Sequence, residues 1–243
     1  MSRDALTVDE APWMLQANDR LVATGTFTPH AATSLGVGRL LAEGYIRERD
    51  DLLAVDAVLL DPGITLIRAT VAPAPALLAE SERRHRADRG CGLLHFVTCD
   101  RDALRRSRSL PLPPDDRFPG LFRSLYRESD ARHPAGGMHA AALSDGQCLF
   151  NQCEDVGRHN AVDRAIGSAL LAGMDLRCFG LILSARVSGQ IALAAARSGI
   201  SWIASRSVPT TLAVAIADAA RLTILGRAAG PGATRFDAFE GGA

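Results

Sequence analysis

Lysine is missing from this chain, in which all 27 lysine-plus-arginine positions are arginine. That excludes Schiff-base chemistry and the phosphate-binding lysine of a Walker A loop. No C-x-x-C pair occurs, which removes a zinc ribbon and a thioredoxin-like dithiol. The five cysteines, Cys91, Cys99, Cys148, Cys153 and Cys178, are odd in number and argue against a disulfide framework. Net charge is lacking too, at +0, so no bulk field draws the protein to nucleic acid or to a membrane surface. No apolar run reaches the ~18 residues that span a bilayer, and Met1-Ser2-Arg3-Asp4 does not open a signal peptide. The expectation is a cytoplasmic protein with no nucleic-acid and no membrane partner. What is present, 47% apolar and 22% charged residues over 243 positions, suits one large or two small folded domains.

Residues 1–10 read as a loose tail. Two strands, 13–17 and 21–27, flank an Asn18-Asp19 turn. Thr28-Pro29 is expected to start a helix that carries Leu35, Leu40 and Leu41 on one side and ends at Gly44. Strands 51–60 and 63–71 follow around Asp61-Pro62-Gly63. These pieces predict a small N-terminal α+β domain, residues 1–80, without a catalytic cluster. Residues 81–134 differ: eight arginines against three aspartates between positions 83 and 108 leave a local excess of five positive charges around Cys91. This stretch reads either as a solvated, mobile linker or as a basic arm for an anionic partner, with a short helix at 115–129. From 135 to 243 the pattern is a hairpin (139–143 and 147–152), then helix 160–171, strand 179–184, helix 188–197, strand 200–205, helix 210–221 and strand 222–226. Short apolar strands between helices predict a partly parallel sheet covered on both faces. Cys148, Cys153 and Cys178 fall on or beside apolar strands, where a free thiol is commonly buried as a small hydrophobe.

The hairpin hands over to a helix through Glu154-Asp155-Val156-Gly157-Arg158-His159-Asn160-Ala161-Val162-Asp163-Arg164. Asp155 or Asn160 is a candidate N-cap, and Val162, Ile166, Ala169 and Leu170 share one helical face. Arg158 and His159 then stand at the positive end of a helix, where anions bind. The plainer reading is a capped helix with a charged first turn, Asp163 and Arg164 forming a surface pair.

This block resembles the signature of the formate dehydrogenase accessory sulfurtransferases, the FdhD/NarQ family. Further pieces follow in the family's order. Thr28-Pro29 and 40–46 (L-x-x-E-G-x-I-like) come first, then 135–143, which resembles T-G-G-x-H-A-A-A-L. Residues 184–188 resemble S-G-R-x-S, and 207–214 resemble S-A-P-x-x-L-A-V. The resemblance implies a cytidine-deaminase-like three-layer α/β C-terminal domain, and its hairpin and helix–strand units agree with the pattern above. The thiolate ligands of zinc deaminases are absent at both helix starts, so no deaminase zinc site is expected.

The family's loop motif C-G-x-C-G stands here as Cys91-Gly92-Leu93-Leu94-His95, which keeps the first cysteine and replaces the second by Leu94. The resemblance implies that Cys91 takes sulfur from a cysteine desulfurase as a persulfide. It then passes that sulfur to Mo-bis(molybdopterin guanine dinucleotide), bound as a substrate, for the formate dehydrogenase catalytic subunit. Arg84, Arg86, Arg89, His85 and His95 are cations or imidazoles that can favour a thiolate at Cys91. Cys99 substitutes for the missing thiol only if the loop folds back. A doubly guanylated pterin carries two pyrophosphates and calls for backbone N–H groups, helix starts and arginines. The candidates are Gly136, Gly137, His139, Arg158, His159, Arg186, Ser188 and the turn Arg227, Ala228, Ala229, Gly230, Pro231 and Gly232. The family also implies a homodimer. Two rivals remain open: a cofactor chaperone that has lost sulfur transfer with Leu94, and a hydrolase or deaminase acting on a nucleotide-like ligand.

Overall fold

The computed structural model describes residues 7–72 and 110–236. Cys91, Cys99 and the arginine-rich stretch around them lie outside the described residues. In the first part, β1 (Ala11–Ala17) and β2 (Arg20–Phe27) form a hairpin. Its turn residues Asn18 and Asp19 take the positive φ values of 47° and 61° that short polar side chains tolerate. Helix α1 (Ala32–Glu43) follows, then β3 (Leu52–Leu60) and β4 (Ile64–Val71). The sheet order is β2-β1-β4-β3, with β4 parallel to β1. Gly44 ends α1 in the left-handed conformation, as its position predicts. The helix starts later than expected, at Ala32, because Thr28 is committed elsewhere: its backbone N–H donates to Asp155 and its hydroxyl accepts from Val156 N–H.

The second part holds α2 (Phe118–Arg132), the hairpin β5 (His139–Ser144) and β6 (Leu149–Asp155), and then α3 (Arg158–Leu171). Next come β7 (Gly180–Leu183), α4 (Gly189–Ser198), β8 (Trp202–Ser205), α5 (Thr211–Ala220), β9 (Thr223–Gly226) and β10 (Thr234–Arg235). The sheet order is β10-β9-β8-β7-β5-β6; β7, β8 and β9 are parallel and the other pairings antiparallel. Alternate strand residues serve opposite faces. Ala140, Ala142, Ile182 and Trp202 meet Phe118, Phe122 and Leu125 of α2 on one side. Ala141, Leu143, Leu181 and Leu183 join the helices α3, α4 and α5 on the other. This is the three-layer α/β arrangement expected, and α2, inside the stretch read as a linker, supplies one layer. Strand β10 had no sequence signal, being two residues long.

The two parts share one hydrophobic core, which runs from Leu15 and Ile67 through α1 to α3. Helices α1 and α3 come so close that a Cβ on Gly38 would lie 1.8 Å from the Asp163 carbonyl oxygen, and one on Gly167 would lie 2.0 Å from that of Ser34. The cysteine expectation fails at two positions: Cys148, in the turn before β6, and Cys178, at the end of the 3-10 turn Leu176–Cys178, are exposed, and Cys153 is partly covered. Burial pushes the Cys153 thiol up to about 11, which keeps it protonated.

The helix contact predicts that Gly38→Ala forces backbone apart and lowers stability by roughly 1–3 kcal/mol, as overpacking does. A urea midpoint measurement checks it; Gly120→Ala, where a Cβ meets only the end of the Arg123 side chain at 3.8 Å, is the control.

Candidate functional site

Strand register decides which residues meet. His139 lies opposite Asp155, Ala141 opposite Leu183, Leu183 opposite Ser205, and Ala204 opposite Leu225. The C-terminal ends of β6, β7, β8 and β9 and the start of β5 therefore lie along one edge of the sheet. Four inter-strand spacings make that edge about 19 Å wide from β6 to β9. Ligands of open α/β sheets bind in the crevice at such an edge.

The eleven-residue block supplies the β6 end, and its acidic side chains are all engaged. Glu154 pairs with Arg132 at 2.6 Å, Asp155 with Arg164 at 2.8 Å, and Asp163 with Arg39 at 2.7 Å. Burial raises Asp163 to about 6 despite the nearby Arg39. Asp163 and Arg164 are thus not a surface pair: they are 2% and 0% exposed and answer different partners. Nor does Asp155 or Asn160 cap the helix. Gly157 is the N-cap, with no side-chain bond to the first turn, while Asp155 Oδ1 accepts from Gly157 N–H and Asn160 Nδ2 at 2.8 and 2.9 Å. Helices α4 and α5 differ, being capped by the Ser188 and Thr210 side chains.

What remains for chemistry is Arg158 and His159 at an uncapped helix start. His159 Nε2 lies 2.9 Å from Ser188 Oγ, which joins the α3 and α4 starts. Burial, then the Arg158 charge, lowers His159 to about 4, and the same two causes lower His139. Both imidazoles are neutral near pH 7. Arg158 sits close enough to influence both, and its Nε is buried without a partner. Hydrogen bonds between loops fix the rest of the edge: Ser184 Oγ accepts from Ala140 N–H, Ser205 Oγ donates to Ala185 O, and Arg227 N–H donates to Ser207 O. Among the described residues no group of three or more His, Cys, Asp or Glu is placed to hold a metal ion. An edge with free arginine, neutral imidazole and open helical N–H groups binds anions.

The FdhD/NarQ family profile matches residues 8–241. This chain belongs to the FdhD/NarQ family. It is 30% identical over 221 residues to the sulfur carrier protein FdhD of Staphylococcus aureus strain MRSA252, covering 90% of this chain and 82% of that one. The FdhD of strain JH9 matches over the same span at the same identity. A crystal structure from Desulfotalea psychrophila, described as that of a formate dehydrogenase accessory protein, has the same fold, with a TM-score of 0.71 at 24% identity. The alignment covers 95% of this chain and 87% of that one.

The motif stretches 135–143, 154–164, 184–188 and 207–214 adjoin the strand-end edge, whereas 40–46 ends α1. Gly136 and Gly137 precede β5 with φ of 71° and 78°, which a side chain would strain. Arg186 is exposed in the loop after β7, with Ser188 half-buried behind it. The turn after β9 is divided. Arg227, Pro231 and Gly232 are exposed and Ala229 and Gly230 half-buried. Ala228, by contrast, is fully buried against the α2 face, with its N–H donating to Ser205 O. Only backbone of Ala228 is near the edge. Arg206 was missed by the sequence reading. It directly follows β8, is exposed, and lies over the Tyr126 ring at 5.7 Å. Its position after an apolar strand was the available signal. No helix of the described residues is long and apolar enough to cross a membrane.

His159 has a testable titration. Its folded value of about 4 lies below the unfolded value of 6.5, so between those pH values the unfolded chain binds a proton that the native state refuses. Stability is therefore expected to fall on acidification from pH 6.5 to 4 and to be insensitive to this ring above 6.5. An NMR titration of the His159 ring, with His159→Gln for assignment, checks it.

Proposed function

We propose that this protein is a sulfur carrier for formate dehydrogenase maturation. In this reading Cys91 takes sulfur from a cysteine desulfurase, and the strand-end edge holds Mo-bis(molybdopterin guanine dinucleotide) as the acceptor substrate. The observation that carries it is the convergence of Gly136, Gly137, His139, Arg158, His159, Arg186 and Ser188 along one edge of the sheet. That edge offers an uncapped helix start and no free carboxylate of the eleven-residue block. Family membership and the sulfur carrier name of the staphylococcal relatives support the activity.

The chain's own residues have distinct tasks in this reading. The Cys91 thiolate attacks the outer sulfur of the desulfurase persulfide, and the desulfurase thiolate leaves, so Cys91 holds the sulfur as its own persulfide. Arginines 84, 86 and 89 favour that thiolate by charge. Arg158, Arg186 and Arg227 take the pyrophosphate oxygens with the N–H groups of the first α3 turn, where arginine forks match phosphate geometry. Neutral His139 and His159 add hydrogen bonds without repelling the arginines. Formate dehydrogenase receives the finished cofactor, and the carrier works in the cytoplasm as a homodimer.

A second reading has a specific motive. Leu94 replaces the second loop cysteine and His95 the glycine after it. A protein that kept the edge and lost sulfur transfer would be a cofactor chaperone. Intact-mass analysis after incubation with a cysteine desulfurase and cysteine separates the two. The sulfur-carrier reading predicts added sulfur, about 32 Da per atom, on wild type and none on Cys91→Ser, where hydroxyl replaces the thiolate that attacks. No gain on wild type, with guanine nucleotide still bound, favours the chaperone. Equal gain on both removes Cys91 from the mechanism.

A further inference from the structure

We infer that β3 is the contact between two copies of this chain, pairing antiparallel with itself across a two-fold axis at Asp56. Its sequence reads the same in both directions in character: Leu-Leu-Ala-Val-Asp-Ala-Val-Leu-Leu over Leu52–Leu60. Antiparallel pairing centred on Asp56 sets Leu53 against Leu59 of the second copy and Val55 against Ala57. A two-fold interface requires such self-complementarity, because each residue meets the partner of its own partner.

Three of the five exposed large apolar side chains among the described residues lie on the same strand. Leu53 is 62% exposed, Leu59 75% and Leu60 38%, on a nine-residue strand that ends its sheet. Sheet edges are usually guarded by charge, proline, brevity or irregularity. The other edges here follow that rule. Strand β2 exposes Leu21 but sets it beside Arg20 and exposes polar Thr24 and Thr26; β6 breaks at Asn151, with φ of 49°; β10 is two residues long. Strand β3 has one bulge, near Leu52, and a single charge. That charge is already matched. Arg68 of β4 holds Asp56 through two hydrogen bonds, one of them from Nε at 2.9 Å, and these lower the carboxyl below its ordinary value. Across the axis the order becomes Arg68, Asp56, Asp56 and Arg68 of the second copy, a neutral row with each carboxylate flanked by its own guanidinium. None of the strand-end residues lies on β3, so the inference does not rest on the sulfur-carrier reading. The homodimer implied by family likeness says nothing about which face is used.

Sedimentation velocity of the full chain over a concentration series tests it. Wild type is expected to dimerise, and Leu59→Asp to raise the dissociation constant about 100-fold or more, since it buries unpaired charge in the contact. Asp56→Cys provides a second readout. Antiparallel partners stand about 4.5–5.5 Å apart at Cα, within disulfide range, so mild oxidation is expected to give a covalent dimer whose disulfide maps by peptide mass to position 56 on both copies. A wild type that remains monomeric overturns the inference and assigns the cover of β3 to another occupant. So does a dimer that survives Leu59→Asp with no cross-link through Asp56→Cys.

Discussion

The ion pair of Arg164 with Asp155 holds the rest of the structure in register. Neither side chain is exposed, and they meet at 2.8 Å. Asp155 Oδ2 also accepts from Thr28 N–H, Arg164 donates to Thr28 O, and Asn160 Nδ2 donates to Thr26 O at 2.8 Å. The Arg164 guanidinium lies 5.4 Å from the centre of the Phe27 ring. Three consecutive residues at the end of β2 are thus fastened to the turn between β6 and α3. Removing one partner of a buried pair costs about 3–5 kcal/mol, because the other charge stays buried without compensation. The pair thereby ties the end of β2 to α3, the helix that approaches α1 closely at Gly38 and Gly167.

The same constraint shapes the site. Because Asp155 spends its oxygens on Gly157, Asn160, Thr28 and Arg164, it does not cap α3, and the first helical N–H groups stay open beside Arg158. Glu154 and Asp163 are likewise engaged, so the motif that looks rich in acid and base presents the crevice with cation and neutral imidazole. Such a surface has the chemistry that suits an anion. It has no carboxylate from the motif to act as a general base. That absence fits the division of labour proposed above, in which Cys91 carries the sulfur and the edge holds the acceptor.

Much of this was legible in the sequence. The hairpins at 11–27 and 139–155, the helix face of Val162, Ile166, Ala169 and Leu170, and the closing glycines 44 and 199 follow from local periodicity and turn chemistry. The alternation of short strands and helices was enough to predict three layers. Two of the misreadings share one cause, which is long-range polar pairing. Thr28 looked like a helix start because its bond to a residue 127 positions away leaves no local trace. Asp163 and Arg164 looked like a surface pair for the same reason, since Arg39 and Asp155 lie on other elements. Arg206 was overlooked because nothing local distinguishes it from any exposed arginine, and its place at the end of β8 appears only once register is known.

The central claim is that the anionic cofactor lies along the strand-end edge, and locating a bound probe tests it most directly. Backbone amide NMR of the full chain titrated with guanosine diphosphate would do so. The account predicts shift changes that cluster at 136–139, 157–160, 184–188 and 227–232, and that vanish together in Arg158→Ala. Changes centred instead on the cleft between α1 and α4, around Arg39, Glu43 and Gln190, would contradict it.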